Sequence, residues 1–157
     1  MSARPDTPPH FERLSPMHIS RIQVIENEAY PDPWTFNMFR QELENQTSYF
    51  CVLIVNDAIA GYGGFWHVID EVHITKVTVA QPFRGLGYGR SLMNHLIERG
   101  LHLDAAFARL EVREANQVAQ ELYRSLGFQA VGLRKGYYAK TNESAVVMVK
   151  DLKPRME

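Results

Sequence analysis

The chain has 157 residues, 45% of them hydrophobic and 22% charged, and a formal net charge of −1. That length buries a core without staples, and the near-neutral balance excludes sequence-independent nucleic-acid binding, which needs a basic surface to displace counterions. The longest apolar run, residues 49–55, is too short to span a bilayer, and the single cysteine excludes an internal disulfide. No direct nucleic-acid or membrane partner is therefore expected. No charged-then-apolar leader precedes a cleavage site, so a cytoplasmic location is expected. Cys51, inside "YFCVLIV", reads as a small core residue rather than a catalytic thiol. The six histidines never reach metal-ligand spacing, so no metal is expected.

Residues 1–10, "MSARPDTPPH", read as a loose tail, residues 11–152 as one domain, and residues 153–157 as a short C-terminal tail. A strand at 11–14 precedes Ser15-Pro16, an N-cap followed by proline at the first helical position. The helix carries Ile22, Ile25 and Ala29 on one face and stops at "YPDPW", where two prolines force a loop; Thr35 then caps a second helix through Leu43. Residues 48–55 and 58–69 pair as a hairpin turned by Asn56-Asp57. Gly61, Gly63 and Gly64 weaken its second strand as a packing surface, so another backbone is expected to approach closely there.

In "EVHITKVTVA", Val72 and Ile74 share one parity and Val77 and Val79 the other. The strand either carries a β-bulge near Thr75 and Lys76 or is buried on both faces. "QPFRGLGYGR" follows directly and runs into a helix bearing Leu92, Met93, Leu96 and Ile97, with Gly100 as the expected C-terminal cap. A strand "FARLEVR" leads to Asn116, cap of a helix whose apolar face comprises Val118, Ala119, Leu122, Tyr123 and Leu126, ended by Gly127. Two last strands, 128–134 and 144–150, flank the polar "GYYAKTNE". Strands and helices mix without a strict βα repeat, which defines an α+β fold with a partly antiparallel sheet.

A strand, a glycine-rich turn and a helix N-terminus together form an anion-binding arrangement. Arg90 stands where a dinucleotide fingerprint needs its third glycine, and "GYGRS" is no Walker loop, which leaves Arg84-x-x-Gly87-x-Gly89. "VTVAQPFRGLGYGRSLM" resembles the acyl-CoA motif of the GCN5-related N-acetyltransferases (GNAT), and the resemblance runs from about Phe11 to Leu152. It implies the GNAT fold, a single mixed, mostly antiparallel sheet flanked by about four helices, and acetyl-CoA as co-substrate. Its pyrophosphate would lie against Arg84, Gly85, Leu86, Gly87, Tyr88, Gly89 and Arg90, and its pantetheine arm against Val77, Thr78, Val79 and Asn116. "PDPWT", "LEVREAN", "AQELYRSLGF" and "LRKGYYAKTNESAVVM" are similar to the RimI-type members, which acetylate the N-terminal alanine of a small-subunit ribosomal protein. One departure is Glu143-Ser144-Ala145, where those members carry Glu-Asp-Ala.

Glu111 alternates out of an apolar strand, which by itself describes a solvated or ion-paired group; the resemblance makes it the general base. Tyr123 shares a face with apolar residues, as a core tyrosine would, and the resemblance makes it the general acid at the CoA sulfur. His73 is either a structural histidine or a second base acting through water. The acceptor expected from the resemblance is a protein N-terminal peptide, held between Pro33 and Trp34 of one loop and Tyr137 and Tyr138 of a hairpin. Trp34 sealing the core and the tyrosines decorating the hairpin is the plainer reading. Acetylation of a lysine or small-molecule amine, and a non-catalytic CoA-binding module, are the alternative functions. The oligomeric state is not encoded legibly.

Overall fold

The computed structural model describes residues 8–153; most of both expected tails, residues 1–7 and 154–157, lies outside the described residues. The elements run β1 (His10–Arg13), α1 (Pro16–Ala29), α2 (Phe36–Glu44), β2 (Ser48–Val55), β3 (Ala58–Val68), β4 (Glu71–Val79), α3 (Tyr88–His102), β5 (Phe107–Arg113), α4 (Gln117–Ser125), β6 (Gln129–Tyr138) and β7 (Glu143–Asp151). The strands form a seven-stranded sheet in the order β1-β2-β3-β4-β5-β7-β6. The β4–β5 pair is parallel, whereas β1–β2, β5–β7 and β6–β7 are antiparallel. This is the α+β class and the mixed, four-helix GNAT architecture that the sequence implied.

The described residues separate into two compact units, one of the residues up to Gly64 with Lys76–Leu92, the other of Phe65–Thr75 with the residues from Met93 onward. In the first, Ser15 caps α1 in an unusual way: its backbone N–H donates to His18 Nδ1 at 3.0 Å, a bond that Glu or Gln makes in an ordinary capping box. Ile19, Ile22 and Ile25 of α1 are buried with Phe39, Phe50 and Tyr62, and Trp34 packs on this cluster. The hairpin turn uses Asn56 and Asp57 at φ 49° and 64°, the left-handed pair that a two-residue turn between twisted strands requires. Close backbone approach is found as expected at Gly61 and Gly64. A Cβ on Gly61 would lie 2.6 Å from the Thr78 carbonyl oxygen, and one on Gly64 2.5 Å from that of Tyr49.

One open alternative is resolved and other expectations are corrected. Along β4 the alternation does not slip and the strand is covered on both faces, Val72, Ile74 and Thr78 being buried on one parity and Val77 and Val79 half-buried on the other. A threonine hydroxyl with a buried partner replaces the apolar side chain the pattern sought. Gly100 is not a helix cap; it lies inside α3, where a Cβ would come 3.1 Å from Val72 and 3.3 Å from Leu152, so packing explains it. The left-handed residue after the helix is Asp104, φ 64°, while Ala105 N–H bonds back to the Gly100 carbonyl. On α4, Val118 is 81% exposed and Gln120 is the buried residue. Gln120 donates to the Arg113 and Glu114 carbonyls at 3.1 and 2.9 Å, so hydrogen bonding to the end of β5, not apolar burial, sets the face of that helix.

In the second unit β5 alternates cleanly. Ala108, Leu110 and Val112 are buried, and Arg109, Glu111 and Arg113 project from the other face. The strand β6 is exposed along nearly its whole length, and its ladder with β7 is irregular between Ala130 and Gly132 and between Arg134 and Tyr138. It continues past Gly136 to include Tyr137 and Tyr138, which the sequence had put in a loop.

Candidate active site

Beyond β4 the chain makes one 3-10 turn, Gln81–Phe83, held by Ala80 N–H on the Ala60 carbonyl at 2.8 Å. Arg84 Nε donates back to the Val79 carbonyl at 3.0 Å and fixes the start of the glycine segment. Gly85 and Gly87 adopt φ 78° and 87°, and a Cβ at either would meet nothing within 4 Å. Both physical demands on these glycines hold at once: a backbone that only glycine adopts easily, and open space in front of it. The first intrahelical bond of α3 is Ser91 N–H to the Gly87 carbonyl, 3.2 Å, so the N–H groups of Tyr88, Gly89 and Arg90 precede the hydrogen-bonded ladder. Amides ahead of the helical ladder, at the positive end of a helix dipole and beside Arg84 and Arg90, suit a pyrophosphate. Leu86, exposed at the tip, blocks nothing.

Just ahead of this loop, Thr78 Oγ1 is 2.7 Å from Tyr30 Oη, which also donates to the Val77 carbonyl at 3.3 Å. Trp34 sits in an aromatic group, its ring 5.3 Å from Phe39 and 6.0 Å from Phe50, and its backbone N–H donates to Glu26 at 2.9 Å. Trp34 therefore does seal the core, whatever else its half-buried edge touches.

In the second unit the Glu111 side chain is only 4% exposed. His73 Nε2–H donates to one carboxylate oxygen at 2.6 Å; Arg109 binds the other, and Arg134 lies 4.0 Å away. Burial alone would raise this carboxyl, but the His73 hydrogen bond and the charges of His73, Arg109 and Arg134 hold it below its ordinary value. The parallel register sets His73 opposite Arg109, which brings the two base candidates of the sequence into direct contact. Arg109 is anchored in turn by Glu71 at 2.5 Å, and the Trp66 ring meets His73 edge-on at 6.2 Å.

The Tyr123 ring lies 6.1 Å from that of Phe128, tilted by 58°, and burial pushes its phenol up to about 12. Its hydroxyl makes no hydrogen bond among the described residues, so its proton is not committed to a neighbour. Asn116 caps α4 through its side-chain oxygen, which accepts from Ala119 N–H at 3.1 Å. Tyr137 and Tyr138 stand ring to ring, edge-on at 5.0 Å. Arg113 lies 3.9 Å over the Tyr138 ring and bonds Glu143 at 3.0 Å, while burial and then the Glu111 charge raise the Tyr137 phenol. The flanking arginines of Glu111 were visible as alternating charges in "ARLEVR". Glu26, Lys76 and Tyr62 carried no such signal.

The model of the acetyltransferase (GNAT) family matches residues 19–128, and the chain belongs to that family of N-acetyltransferases. Ribosomal protein bS18-alanine N-acetyltransferase of Haemophilus influenzae is 33% identical over 141 residues, covering 88% of this chain and 95% of its own length. The Escherichia coli (strain K12) protein of the same name is 32% identical over 126 residues, 79% of this chain and 84% of that one. A crystal structure of the ribosomal-protein-S18-alanine N-acetyltransferase from Escherichia coli superimposes with a TM-score of 0.86 at 27% identity, covering 95% of this chain and 97% of that one. The resemblance to RimI-type members thus holds in sequence and in fold. Among the described residues no helix is long and apolar enough to cross a membrane.

Proposed function

We propose that this N-acetyltransferase transfers the acetyl group of acetyl-CoA to the α-amine of a protein N-terminus. The acceptor we assign is the N-terminal alanine of a small-subunit ribosomal protein, modified in the cytoplasm by the domain spanning residues 11–152. The activity for which these relatives are named supports that acceptor, and the observation that carries the reading is the buried Glu111 carboxylate held by His73 at 2.6 Å. An α-amine near 7.7–8.0 is already about a quarter neutral at pH 7.4, whereas a lysine amine near 10.4 is only about one part in a thousand neutral, so a single glutamate or a water it orients suits the α-amine better.

The open glycine segment fits a pyrophosphate, with Leu86 to Gly89 offering backbone N–H groups and Arg84 and Arg90 charge. Acetyl-CoA, when bound, supplies the activated thioester and its thiol leaving group. Val77 to Val79 and Asn116 hold the pantetheine arm. Glu111 is the general base that takes the α-amine proton, directly or through an oriented water, and His73, whose Nε2–H donates to it at 2.6 Å, is the second candidate base. Tyr123 stays protonated through the neutral range and serves as the donor for the departing sulfur. Pro33 and Trp34 offer the acceptor rigid apolar surface; Tyr137 and Tyr138 offer rings with hydroxyls for peptide backbone.

A competition decides the acceptor: one peptide with a free N-terminal alanine against an N-blocked peptide with an internal lysine, the acetyl group located by mass spectrometry. Preference for the free terminus is the expected result. Preference for the blocked peptide's lysine overturns the proposal.

A further inference from the structure

The first unit buries an ion pair that neither the glycine segment nor the Glu111 cluster uses. Glu26 of α1 is fully buried; its carboxylate accepts from Lys76 Nζ at 2.7 Å, Tyr62 Oη at 2.7 Å and the Trp34 backbone N–H at 2.9 Å. The Lys76 ammonium lies 4.2 Å from the centroid of the Tyr30 ring and 4.6 Å from that of Trp34. Two aromatic faces and a carboxylate around an ammonium make an aromatic cage, a type of site that normally receives a ligand cation. Here β4 supplies the occupant.

A buried pair of this kind is weak evidence for stability, because desolvating both charges offsets their attraction. Its geometric effect is clear. The segment from Tyr30 to Trp34 contains Pro31 and Pro33, which stiffen it, and both of its ends are tied to β4. At one end Tyr30 Oη holds Thr78 Oγ1 and the Val77 carbonyl. At the other, Trp34 lies on the Lys76 ammonium and donates to the carboxylate that Lys76 neutralises. This loop can shift only together with the strand carrying Val77 to Val79.

We infer that Lys76 is a positioning residue for the acceptor: by filling the Tyr30–Trp34–Glu26 cage it locks Pro33 and Trp34 to the strand that aligns the thioester, and so sets the affinity for the peptide N-terminus. This rests on the proposed contact of Pro33 and Trp34 with the acceptor. Its signature is a KM effect on the peptide with acetyl-CoA binding left alone.

The test removes both charges at once, Glu26→Gln with Lys76→Met, so that no lone charge remains buried. Thermal melting checks the fold, calorimetry gives the acetyl-CoA Kd, and steady-state kinetics gives the peptide KM at saturating acetyl-CoA. A rise in peptide KM of about tenfold or more, with kcat and acetyl-CoA Kd within about twofold, is the expected result. Lys76→Arg, which keeps the Glu26 bond and stacks on both rings, should stay within about threefold of the wild-type KM. An unchanged peptide KM in the folded double variant overturns the inference, and so does an acetyl-CoA Kd that weakens in parallel. Should the double variant fail to fold, Tyr30→Phe cuts the tie to Thr78 while keeping the ring under Lys76; an unmoved peptide KM there overturns the inference equally. Wild-type protein that acetylates no peptide N-terminus refutes the proposed function instead, so the two failures are distinguishable.

Discussion

Replacing Gly61 by alanine tests how tightly β3 and β4 are set against each other. The added methyl would sit 2.6 Å from the Thr78 carbonyl oxygen and 2.9 Å from Leu92 Cδ1. Ordinary contact begins at 3.4 Å, so Thr78 must recede by about 0.8 Å, and it is backbone, not the end of a flexible side chain. The neighbouring Ala80 N–H to Ala60 carbonyl bond, 2.8 Å, and the Tyr30–Thr78 hydroxyl contact, 2.7 Å, are strained by the same movement. Overpacking of this kind costs about 1–3 kcal/mol, and in a chain of this size each kcal/mol lowers Tm by about 2–4 °C, so a fall of about 2–12 °C is expected. Because Thr78 lies in the segment assigned to the pantetheine arm, the acetyl-CoA KM should rise as well. Differential scanning calorimetry and initial-rate kinetics measure the two effects. A Gly61→Ala protein that melts within about 1 °C of wild type, below the least shift of about 2 °C that the contacts allow, would refute the reasoning.

Three further outcomes are expected. Gly87→Val should force a β-branched residue into φ 87° and crowd the anion, weakening acetyl-CoA at least tenfold (about 1.4 kcal/mol) by calorimetry; unchanged affinity in a folded variant would remove the loop assignment. Glu111→Gln and Tyr123→Phe should each lower kcat by about 10²–10⁴ while acetyl-CoA binding stays near normal, and a folded variant retaining full kcat where chemistry is rate-limiting loses its assigned role. Because the Glu111 carboxyl is held below its unfolded value, its contribution to stability is complete above about pH 4.5 and fades as pH falls through the lowered native value. Urea titrations at stepped pH should therefore show a shallower loss of stability below that point for Glu111→Gln than for wild type, and parallel curves would count against the Glu111–His73 geometry.

What the sequence made legible was local. Thr35 and Asn116 announced their helices because a cap is a short-range bond, and "ND" announced its hairpin because the turn needs left-handed residues. The glycine segment was legible for the same reason, since strand, turn and helix are contiguous. Glu26 was not: a glutamate among polar neighbours on a helix has the pattern of a solvated face, and its partner Lys76 stands fifty residues away. Gln120 misled in the opposite sense, because its backbone-satisfying amide makes a polar residue the buried one while Val118 faces water. Gly100 combined both difficulties, offering a capping residue whose purpose lies in side chains of β4 and the C-terminal segment.

The exposed strand β6 bears on how the protein survives at high concentration. As the last strand of the sheet it offers open backbone groups to any passing chain, and Val131 and Leu133 face solvent on it. Self-templating aggregation through such an edge needs an unbroken segment of about six or seven residues. The two irregularities leave only Gly132 to Arg134 in regular register between them, and Arg134 and Lys135 place positive charge where a second copy would have to pair. Straightening that ladder would be expected to make the protein stickier without making it a better enzyme.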